Sequence, residues 1–194
     1  MDAWRTLGRR LIHLIGGSVI PLLSFVLPQW LIVPLLALLV VLALALETAR
    51  LLRPDLNRWL VGRFFYLLKN DEVSHVTGST YFLIASLLTF LLFPQPIAVA
   101  ALLYLSVADP MAITVGRAWG RIKIGHKSLE GSLAFLFACL VVALALGGVG
   151  LNPLVGIVGA VVATLAELLF PLVDDNMSIP LVSGLAMVLA ALFL

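Results

Sequence analysis

Long apolar runs, separated by short polar or proline-containing breaks, dominate this sequence. A transmembrane helix needs about 20 mostly apolar residues, within a range of roughly 17–25. We therefore predict an all-α, polytopic transmembrane bundle of about seven spans, with residues 1–194 forming a single domain. The predicted spans are 11–27, 30–52, 78–93, 96–116, 129–146, 153–170 and 179–194.

The polar stretch after the second span has a pattern of its own. Leucine and aromatic residues recur there at near-helical spacing beside basic residues, across positions 54–70. This pattern is typical of a helix that lies in the membrane interface. Just before it, Glu47 and Arg50 are three residues apart and are expected to pair on one helix face.

The charged residues fall on one side of the predicted bundle. If the spans alternate, the N-terminus shares this side with the loops after the second, fourth and sixth spans. The opposite connections, at Pro28-Gln29, Pro94-Gln95 and 147–152, carry no charge. All 12 Lys and Arg residues therefore lie at or near one face, which the positive-inside rule makes cytoplasmic. This topology predicts a cytoplasmic N-terminus and a C-terminus outside.

The composition agrees with lipid as the main solvent. The chain is 62% hydrophobic and 11% charged, whereas a soluble domain is about 25% charged. A formal net charge of +2 is too small to indicate a nucleic-acid partner, and none is expected. The single cysteine, Cys139, lies in an apolar run, which predicts a buried side chain rather than a disulfide or a metal ligand.

The end of the fourth span carries an unusual acid. Asp109 lies about two helical turns inside this span, roughly 10 Å from its polar end. A carboxylate is costly at this depth, so an intramembrane Asp is a candidate functional residue. Asp109, Ala112 and Gly116 share a helix face, and the small residues would let another backbone or a ligand approach. The alternative is a structural carboxylate satisfied by a neighbouring helix.

The start of the fifth span favours an anion. Ser128 is the predicted N-cap and Glu130 suits the positive end of the helix dipole, which alone would explain both residues. Gly131-Ser132 nevertheless leaves the helix start open, and free N–H groups at such a start bind phosphate. Lys127 and Arg117 lie nearby on the same membrane face, either as phosphate ligands or as determinants of topology.

Oxygen-bearing side chains gather between the last two spans. Glu167 lies near the inner end of the sixth span, and Asp174-Asp175-Asn176 follows within about two turns. These residues predict a site for a hard cation such as Mg²⁺, and a solvated loop is the alternative. Weaker candidates are His13, near the inner edge of the first span, and the hydroxyls of Thr77-Gly78-Ser79-Thr80, which cap a helix or face a polar cavity.

Together these residues resemble the CTP-dependent lipid-alcohol kinases, which include dolichol kinase, phytol kinase and the CTP-using diacylglycerol kinases. The resemblance covers most of the chain and is strongest over Asp109-x-x-Ala112-x-x-x-Gly116-Arg117-x-x-Gly120 and Lys127-Ser128-x-Glu130-Gly131-Ser132. Further similar pieces are Arg9-Arg10-x-x-His13, Thr77-Gly78-Ser79-Thr80-Tyr81, Glu167 and Asp174-Asp175-Asn176-x-x-Ile179-Pro180. The chain is short for the family, which places it nearer the phytol-kinase-like and small prokaryotic members.

The resemblance implies phosphoryl transfer from CTP to the hydroxyl of a membrane lipid alcohol, with Mg²⁺ or another divalent cation. The acceptor would be a polyprenol, a phytol-like isoprenoid or a diacylglycerol, and an oligomer is left open. The implied location is a prokaryotic plasma membrane, with the active site facing the cytoplasm. The implied catalytic residues are Asp109, Glu130 and Lys127. The implied nucleotide-binding residues are Gly116, Arg117, Gly120, Lys127, Ser128, Gly131 and Ser132. The implied metal ligands are Asp109, Glu130, Glu167, Asp174, Asp175 and Asn176, with His13, Arg9 and Thr77 as further candidates.

Two other functions compete with a lipid kinase. A CTP-dependent phosphatidate cytidylyltransferase would release pyrophosphate and leave CMP on the lipid. A small transporter is the non-enzymatic alternative. Transporters place polar sites near the membrane midplane, often between inverted repeats, whereas Asp109 is off-centre and no repeat stands out.

Overall fold

The computed structural model describes residues 2–64, 71–169 and 174–194. Within these ranges, the side chains of residues 2–7, Arg9 and Asp71 are not described. Within these ranges the protein is all-α apart from one pair of two-residue strands, which confirms the predicted class. The helices are α1 (Asp2–Leu23), α2 (Gln29–Leu52), α3 (Pro54–Phe64), α4 (Gly78–Leu92), α5 (Gln95–Leu103), α6 (Asp109–Trp119), α7 (Leu129–Leu146), α8 (Pro153–Leu169) and α9 (Asp175–Ala190). Short 3₁₀ turns lie at Asp71–Val73 and Gly147–Val149, and β1 (Lys123–Ile124) pairs antiparallel with β2 (Lys127–Ser128).

Each predicted span overlaps an apolar helix. Among the described residues, three helical segments are long and apolar enough to cross a membrane, namely Gln29–Leu52, Gln95–Trp119 and Leu129–Val149. The other four apolar helices are shorter and are Arg10–Leu23, Gly78–Leu92, Pro153–Leu169 and Asp175–Ala190. The structure therefore supports a membrane-embedded helical bundle. That all seven segments cross the bilayer, and which terminus faces the cytoplasm, remain predictions.

Two helices begin earlier than the predicted spans. The first helix starts at Asp2, because the polar turn before position 11 continues the same helix. The last helix starts at Asp175 rather than 179, because Asp174 Oδ1 accepts a hydrogen bond from the Asn176 amide at 2.9 Å and caps it. Helix α3 is the described part of the predicted interfacial segment, and none of its residues is buried. Positions 65–70 of that segment, Phe170 and the side chain of Arg9 lie outside the described residues.

The fourth predicted span forms the centre of the bundle. Helices α5 and α6 join through a π-helical stretch, Tyr104–Ala108, into one continuous helical segment. Residues Ala98–Leu102 are completely buried, since α5 packs against α1, α4, α7, α8 and α9. The Tyr104 hydroxyl donates to the Gly156 carbonyl at 2.7 Å, which joins this segment to α8. Cys139 is also fully buried, as predicted from its apolar surroundings.

The π-helical stretch ends directly before Asp109. Pro110 has no backbone N–H and its ring crowds the carbonyl four residues earlier, so a regular helix is disfavoured here. A widened turn relieves that conflict, and such turns are frequent at functional sites. The result is a change of helical register that sets the direction of Asp109 relative to the buried segment.

Candidate active site

A cavity of about 1350 Å³ lies between the polar ends of the helices. Helices α1, α2, α3, α4 and α6 form its sides, together with the β1–β2 loop and the first residues of α7 and α9. Its charged and amide-bearing lining residues are Arg10, His13, Glu47, Arg50, Asn57, Glu72, Asp109, Arg117, Lys123, His126, Lys127, Glu167, Asp175 and Asn176. Residues that are far apart in the sequence therefore line one shared space.

All seven predicted nucleotide-binding residues line this cavity. They are Gly116, Arg117, Gly120, Lys127, Ser128, Gly131 and Ser132. They come from the last turns of α6, from β2 and from the first turn of α7. The structure thus brings them together, while their role in binding a nucleotide stays a prediction.

Lys127 holds three elements together at the edge of the cavity. Its Nζ lies 3.0 Å from Glu167 Oε1 on α8 and 3.0 Å from Asp175 Oδ2 on α9. It also donates to the Glu167 carbonyl, and the Ser132 hydroxyl donates to Glu167 Oε2 at 3.0 Å. Burial lowers the pKa of the Lys127 ammonium, but the Asp175 and Glu167 carboxylates outweigh this and leave the pKa above its ordinary value. The lysine is therefore a fixed positive charge at neutral pH.

Asp109 faces α1 across the cavity. Its Oδ2 lies 3.9 Å from His13 Nε2, which is longer than a hydrogen bond. The two side chains are 23% and 28% exposed, so both are accessible to a small group that enters between them. One turn earlier on α1, Arg10 Nη1 donates to Thr114 Oγ1 on α6 at 3.0 Å. Helix α1 is thereby held against the wall that carries Asp109.

The predicted metal ligands do not all converge. Glu167, Asp175, Asn176 and Asp109 line the cavity, whereas the Glu130 carboxylate accepts from the Ile122 amide at 3.2 and 3.3 Å, outside the cavity lining. Asp174 likewise stays outside the lining and accepts from both the amide and the side chain of Asn176, at 2.9 and 2.7 Å. Sequence spacing could not show this, because it carries no information on which way each carboxylate turns.

The donor set fits a cation that arrives with a substrate. Within residues 2–64, 71–169 and 174–194, no group of three or more His, Cys, Asp or Glu is close enough to hold a metal ion. Mg²⁺ seldom needs such a group, since it commonly takes one or two carboxylates and completes its shell with water and substrate phosphates. Among the predicted metal ligands, Asp109, Glu167 and Asp175 are the carboxylates that line the cavity and could supply these contacts.

Helices α6 and α7 cross at glycines. A Cβ on Gly131 would lie 2.9 Å from the Ala112 carbonyl oxygen and 3.3 Å from the Gly116 Cα. A Cβ on Gly120 would lie 2.6 Å from Ser128 Oγ. The small face predicted for α6 therefore admits a second backbone, that of α7. This close crossing brings the positive end of the α7 dipole to the cavity.

The first N–H groups of α7 are largely occupied within the protein. Ser128 is the N-cap, as predicted, and its Oγ accepts from the Gly131 amide at 3.2 Å. The Leu129 amide donates to the Ile122 carbonyl at 2.9 Å. What the helix start offers an anion is therefore its dipole and the adjacent Lys127, more than a set of free donors.

A buried ion pair on α2 extends the polar lining. Arg50 Nη2 lies 2.6 Å from Glu47 Oε2, which confirms the predicted pair, and the side chains are only 5% and 8% exposed. Glu47 Oε1 accepts from the Thr77 hydroxyl at 2.7 Å and the Thr77 amide at 3.2 Å. Arg50 donates to the carbonyls of Val73 and His75. The pair fastens the segment before α4 to α2.

Glu72 and Asn176 meet at the start of α4. The Gly78 amide donates to Glu72 Oε1 at 2.8 Å. A Cβ on Gly78 would lie 2.8 Å from Asn176 Nδ2 and 3.1 Å from Glu72 Oε1. Thr77 was predicted either to cap a helix or to face a polar cavity. It lines the cavity, and although it occupies the N-cap position of α4, its hydroxyl donates to Glu47 and makes no capping hydrogen bond.

The lining residues Glu47, Arg50 and Glu72 were missed as site residues by the sequence reasoning. The available signal was a pair of opposite charges inside an apolar run, since buried intramembrane charges usually mark function. Because Glu47 and Arg50 are three residues apart, the sequence was explained by a local ion pair. It gave no sign that both residues also bond the segment before α4.

Three known proteins are similar to parts or most of this chain. An uncharacterized protein of Rickettsia prowazekii is 26% identical over 182 residues, which cover 89% of this chain and 88% of that protein. CTP-dependent diacylglycerol kinase 1 of Schizosaccharomyces pombe is 40% identical over 76 residues, 38% of this chain and 34% of the kinase. Probable phytol kinase 1, chloroplastic, of Glycine max is 33% identical over 132 residues, 58% of this chain and 43% of that protein.

The matches to named kinases thus span less than half the length of those relatives. No family model matches the chain. No solved structure matches it either. The partial similarities support an enzyme of the lipid-kinase type, and the apolar helices support a membrane protein.

Proposed function

We propose that this protein is an integral membrane kinase that transfers the terminal phosphoryl group of CTP to the hydroxyl of a membrane lipid alcohol. The main support is the cavity, in which Lys127, Arg117 and Asp109 all line one space that also has apolar walls. A charged donor and a membrane-dissolved acceptor both require access to such a space. The partial similarity to a CTP-dependent diacylglycerol kinase and a phytol kinase supports the donor and the acceptor class.

The proposed nucleotide end of the cavity lies around Lys127. Enzymatic phosphoryl transfer depends mainly on positioning and on neutralising charge. Lys127 is held by Glu167 and Asp175 at 3.0 Å each, so its ammonium is already oriented before a triphosphate binds. Arg117 and the dipole of α7 add positive potential beside it.

A divalent cation such as Mg²⁺, bound with the nucleotide, would neutralise phosphate charge. Asp175 and Glu167 would hold it, since both carboxylates reach the cavity beside Lys127. Each carboxylate would supply an oxygen ligand, and water and phosphate oxygens would complete the shell of the cation.

Asp109 is the proposed group that orients the acceptor hydroxyl. Its carboxylate accepts the hydroxyl proton as the lipid oxygen bonds to the terminal phosphorus and the bond between that phosphorus and the bridging oxygen of CDP breaks. The products are a lipid phosphate and CDP. Glu130 is the less suitable base, because its carboxylate is bonded to the Ile122 amide outside the cavity lining. His13, 3.9 Å from Asp109, is placed to take up the proton afterwards.

The proposed location is a prokaryotic plasma membrane, with the polar end of the cavity on the cytoplasmic side. The charged residues gather at that end of the helices, which is the side that the positive-inside rule assigns to the cytoplasm.

Product analysis tests the proposed reaction. Purified protein in nanodiscs receives Mg²⁺, one acceptor (diacylglycerol, a polyprenol or phosphatidate), and CTP labelled in either the α- or the γ-phosphate. A kinase transfers only the γ-label to lipid and releases CDP. Transfer of the α-label to phosphatidate with release of pyrophosphate would identify a cytidylyltransferase instead. If CTP is the phosphoryl donor of this kinase, ATP competes poorly with it.

A further inference from the structure

The cavity continues from its polar end into an apolar section along the same helices. On α1 the lining passes from Arg10 and His13 to Gly16 and Ile20. At 1.5 Å per residue, the distance from Arg10 to Ile20 is about 15 Å along the helix. The lining of α2 changes in the same direction, from Arg50 and Glu47 to Leu46 and Ala43.

The walls of this section are apolar. Phe82 and Leu83 of α4 and Leu105 of the π-helical stretch complete the lining that α1 and α2 begin. Ile12 and Leu46, where the lining changes from polar to apolar, also face the cavity, and they are 50% and 53% exposed. Exposed apolar side chains on α1 and α2 are what an entrance for lipid between these two helices requires.

Gly16 leaves this section wide. A Cβ at Gly16 would meet nothing within 4 Å, so the glycine is not needed for helix packing. Gly17 differs, since a Cβ there would lie 2.6 Å from Ser106 Oγ and it is therefore required by the contact between α1 and the π-helical stretch. The absence of a side chain at Gly16 therefore enlarges the cavity and is not required by any neighbouring atom.

We infer that the apolar section binds the hydrocarbon chain of the lipid acceptor, which enters between α1 and α2. This inference rests on the proposed function and specifies how its acceptor is held. Apolar walls favour a hydrocarbon chain over water. A chain lying along Gly16 and Ile20 places its hydroxyl at the level of His13 and Asp109, where the lining becomes polar.

The first test compares acceptors of different chain length in the Gly16→Leu variant. The added side chain occupies the section, so the KM for a dioleoyl or long polyprenyl acceptor rises at least about tenfold, the effect of losing burial of roughly two methylenes. The KM for CTP stays unchanged, and so does activity toward a short, water-soluble acceptor. Gly8→Leu is the matched control, because Gly8 also has nothing within 4 Å and does not line the cavity. Equal effects on long and short acceptors would overturn the inference.

The second test needs no phosphoryl transfer. A long-chain alcohol carrying a diazirine at mid-chain is irradiated with the wild-type protein in nanodiscs, and the labelled peptides are mapped. We expect labels in α1 near Gly16 and Ile20 and in α2 near Ala43, with a lower yield in Gly16→Leu. Labels spread evenly over the outer helices would refute the chain site, whether or not Gly16→Leu folds. Localised labels without transfer to any alcohol would instead refute the proposed reaction and keep the site.

Discussion

Asp109 lines the cavity, is 23% exposed and lies 3.9 Å from His13, and Asp109→Asn removes its charge while keeping nearly the same side-chain shape. We expect Asp109→Asn to lower kcat about 10²- to 10⁴-fold, the usual contribution of a general base. The KM for CTP should change little, because the nucleotide is proposed to bind around Lys127. Steady-state phosphoryl transfer at saturating Mg²⁺ measures both constants.

A matched control for this substitution is Asp55→Asn. The Asp55 side chain is 94% exposed and pairs with Arg58 on the surface of α3, so the same chemical change should leave kcat within about twofold. Full activity of Asp109→Asn would remove this residue from the reaction.

Lys127 also contributes to stability. In Lys127→Met the carboxylates of Glu167 and Asp175 lose their shared cation, and we expect a cost of roughly 2–4 kcal/mol, near that of breaking a buried pair. The pKa of Lys127 is raised in the folded protein. Its stabilisation is therefore complete below the ordinary pKa of 10.5 and is lost as pH rises through the higher folded value.

Thermal unfolding in detergent measures this effect. The difference in midpoint between wild type and Lys127→Met should be constant from about pH 7 to 10 and shrink only at higher pH. Lys123→Met removes a charge from an exposed position of the same hairpin and should change the midpoint little. A Lys127 difference that disappears near neutral pH would contradict the assigned pKa direction.

The sequence predicted which residues could take part in chemistry better than it predicted the direction in which their side chains point. Asp109, Lys127 and the small face of α6 stood out because charge and glycine are conspicuous in an apolar sequence. The outward turn of Glu130 and the capping role of Asp174 depend on backbone amides, at Ile122 and Asn176, which a sequence pattern does not position.

At the scale of helices and loops, the Glu47–Arg50 pair connects α2 to the start of α4. Arg50→Met would leave the Glu47 carboxylate buried without its cation and free the carbonyls of Val73 and His75. We expect a loss of about 3–5 kcal/mol and faster hydrogen exchange at amides 72–78. Exchange measured by mass spectrometry in detergent would report the local opening.

Two further variants test whether the effect of Arg50→Met comes from breaking this buried pair. Arg58→Met breaks an ion pair whose side chains are 79% and 94% exposed, so it should cost at most about 1 kcal/mol. The double variant Glu47→Gln with Arg50→Met should be more stable than Arg50→Met alone, because the unpaired charge is gone. Unchanged exchange at 72–78 in Arg50→Met would show that the pair does not hold this segment.

Helix positions followed from the sequence, but the starts of two helices did not. Apolar runs bounded by Pro28, Pro94 and Pro153 correspond closely to α2, α5 and α8, because proline suits helix starts and disfavours interiors. The earlier starts of α1 and α9 escaped notice because hydropathy detects contact with lipid, whereas a helix continues through polar residues until its hydrogen bonding ends.

For the whole molecule, the distribution of charge predicts the topology. Cysteine variants at Ser74 and Gly148, both exposed and at opposite ends of the bundle in the predicted topology, provide the test. A membrane-impermeable maleimide should label Gly148→Cys in right-side-out vesicles and Ser74→Cys only in inverted ones. The natural Cys139 is fully buried and should give little background. Labelling of both variants from one side would refute the alternation of seven spans.

As a predicted membrane span, helix α2 would make the protein sensitive to membrane thickness. Only 22% of its most apolar stretch is buried within the protein, against 72% for Gln95–Trp119, so most of this stretch would face lipid if α2 spans the membrane as predicted. Its 24 residues extend about 36 Å, longer than a hydrocarbon core of about 30 Å, a difference that a spanning helix can accommodate by tilting. Since α2 also forms one wall of the cavity, a thinner bilayer would tilt that wall further. Acyl-chain composition of the host membrane would then adjust turnover without any dedicated effector.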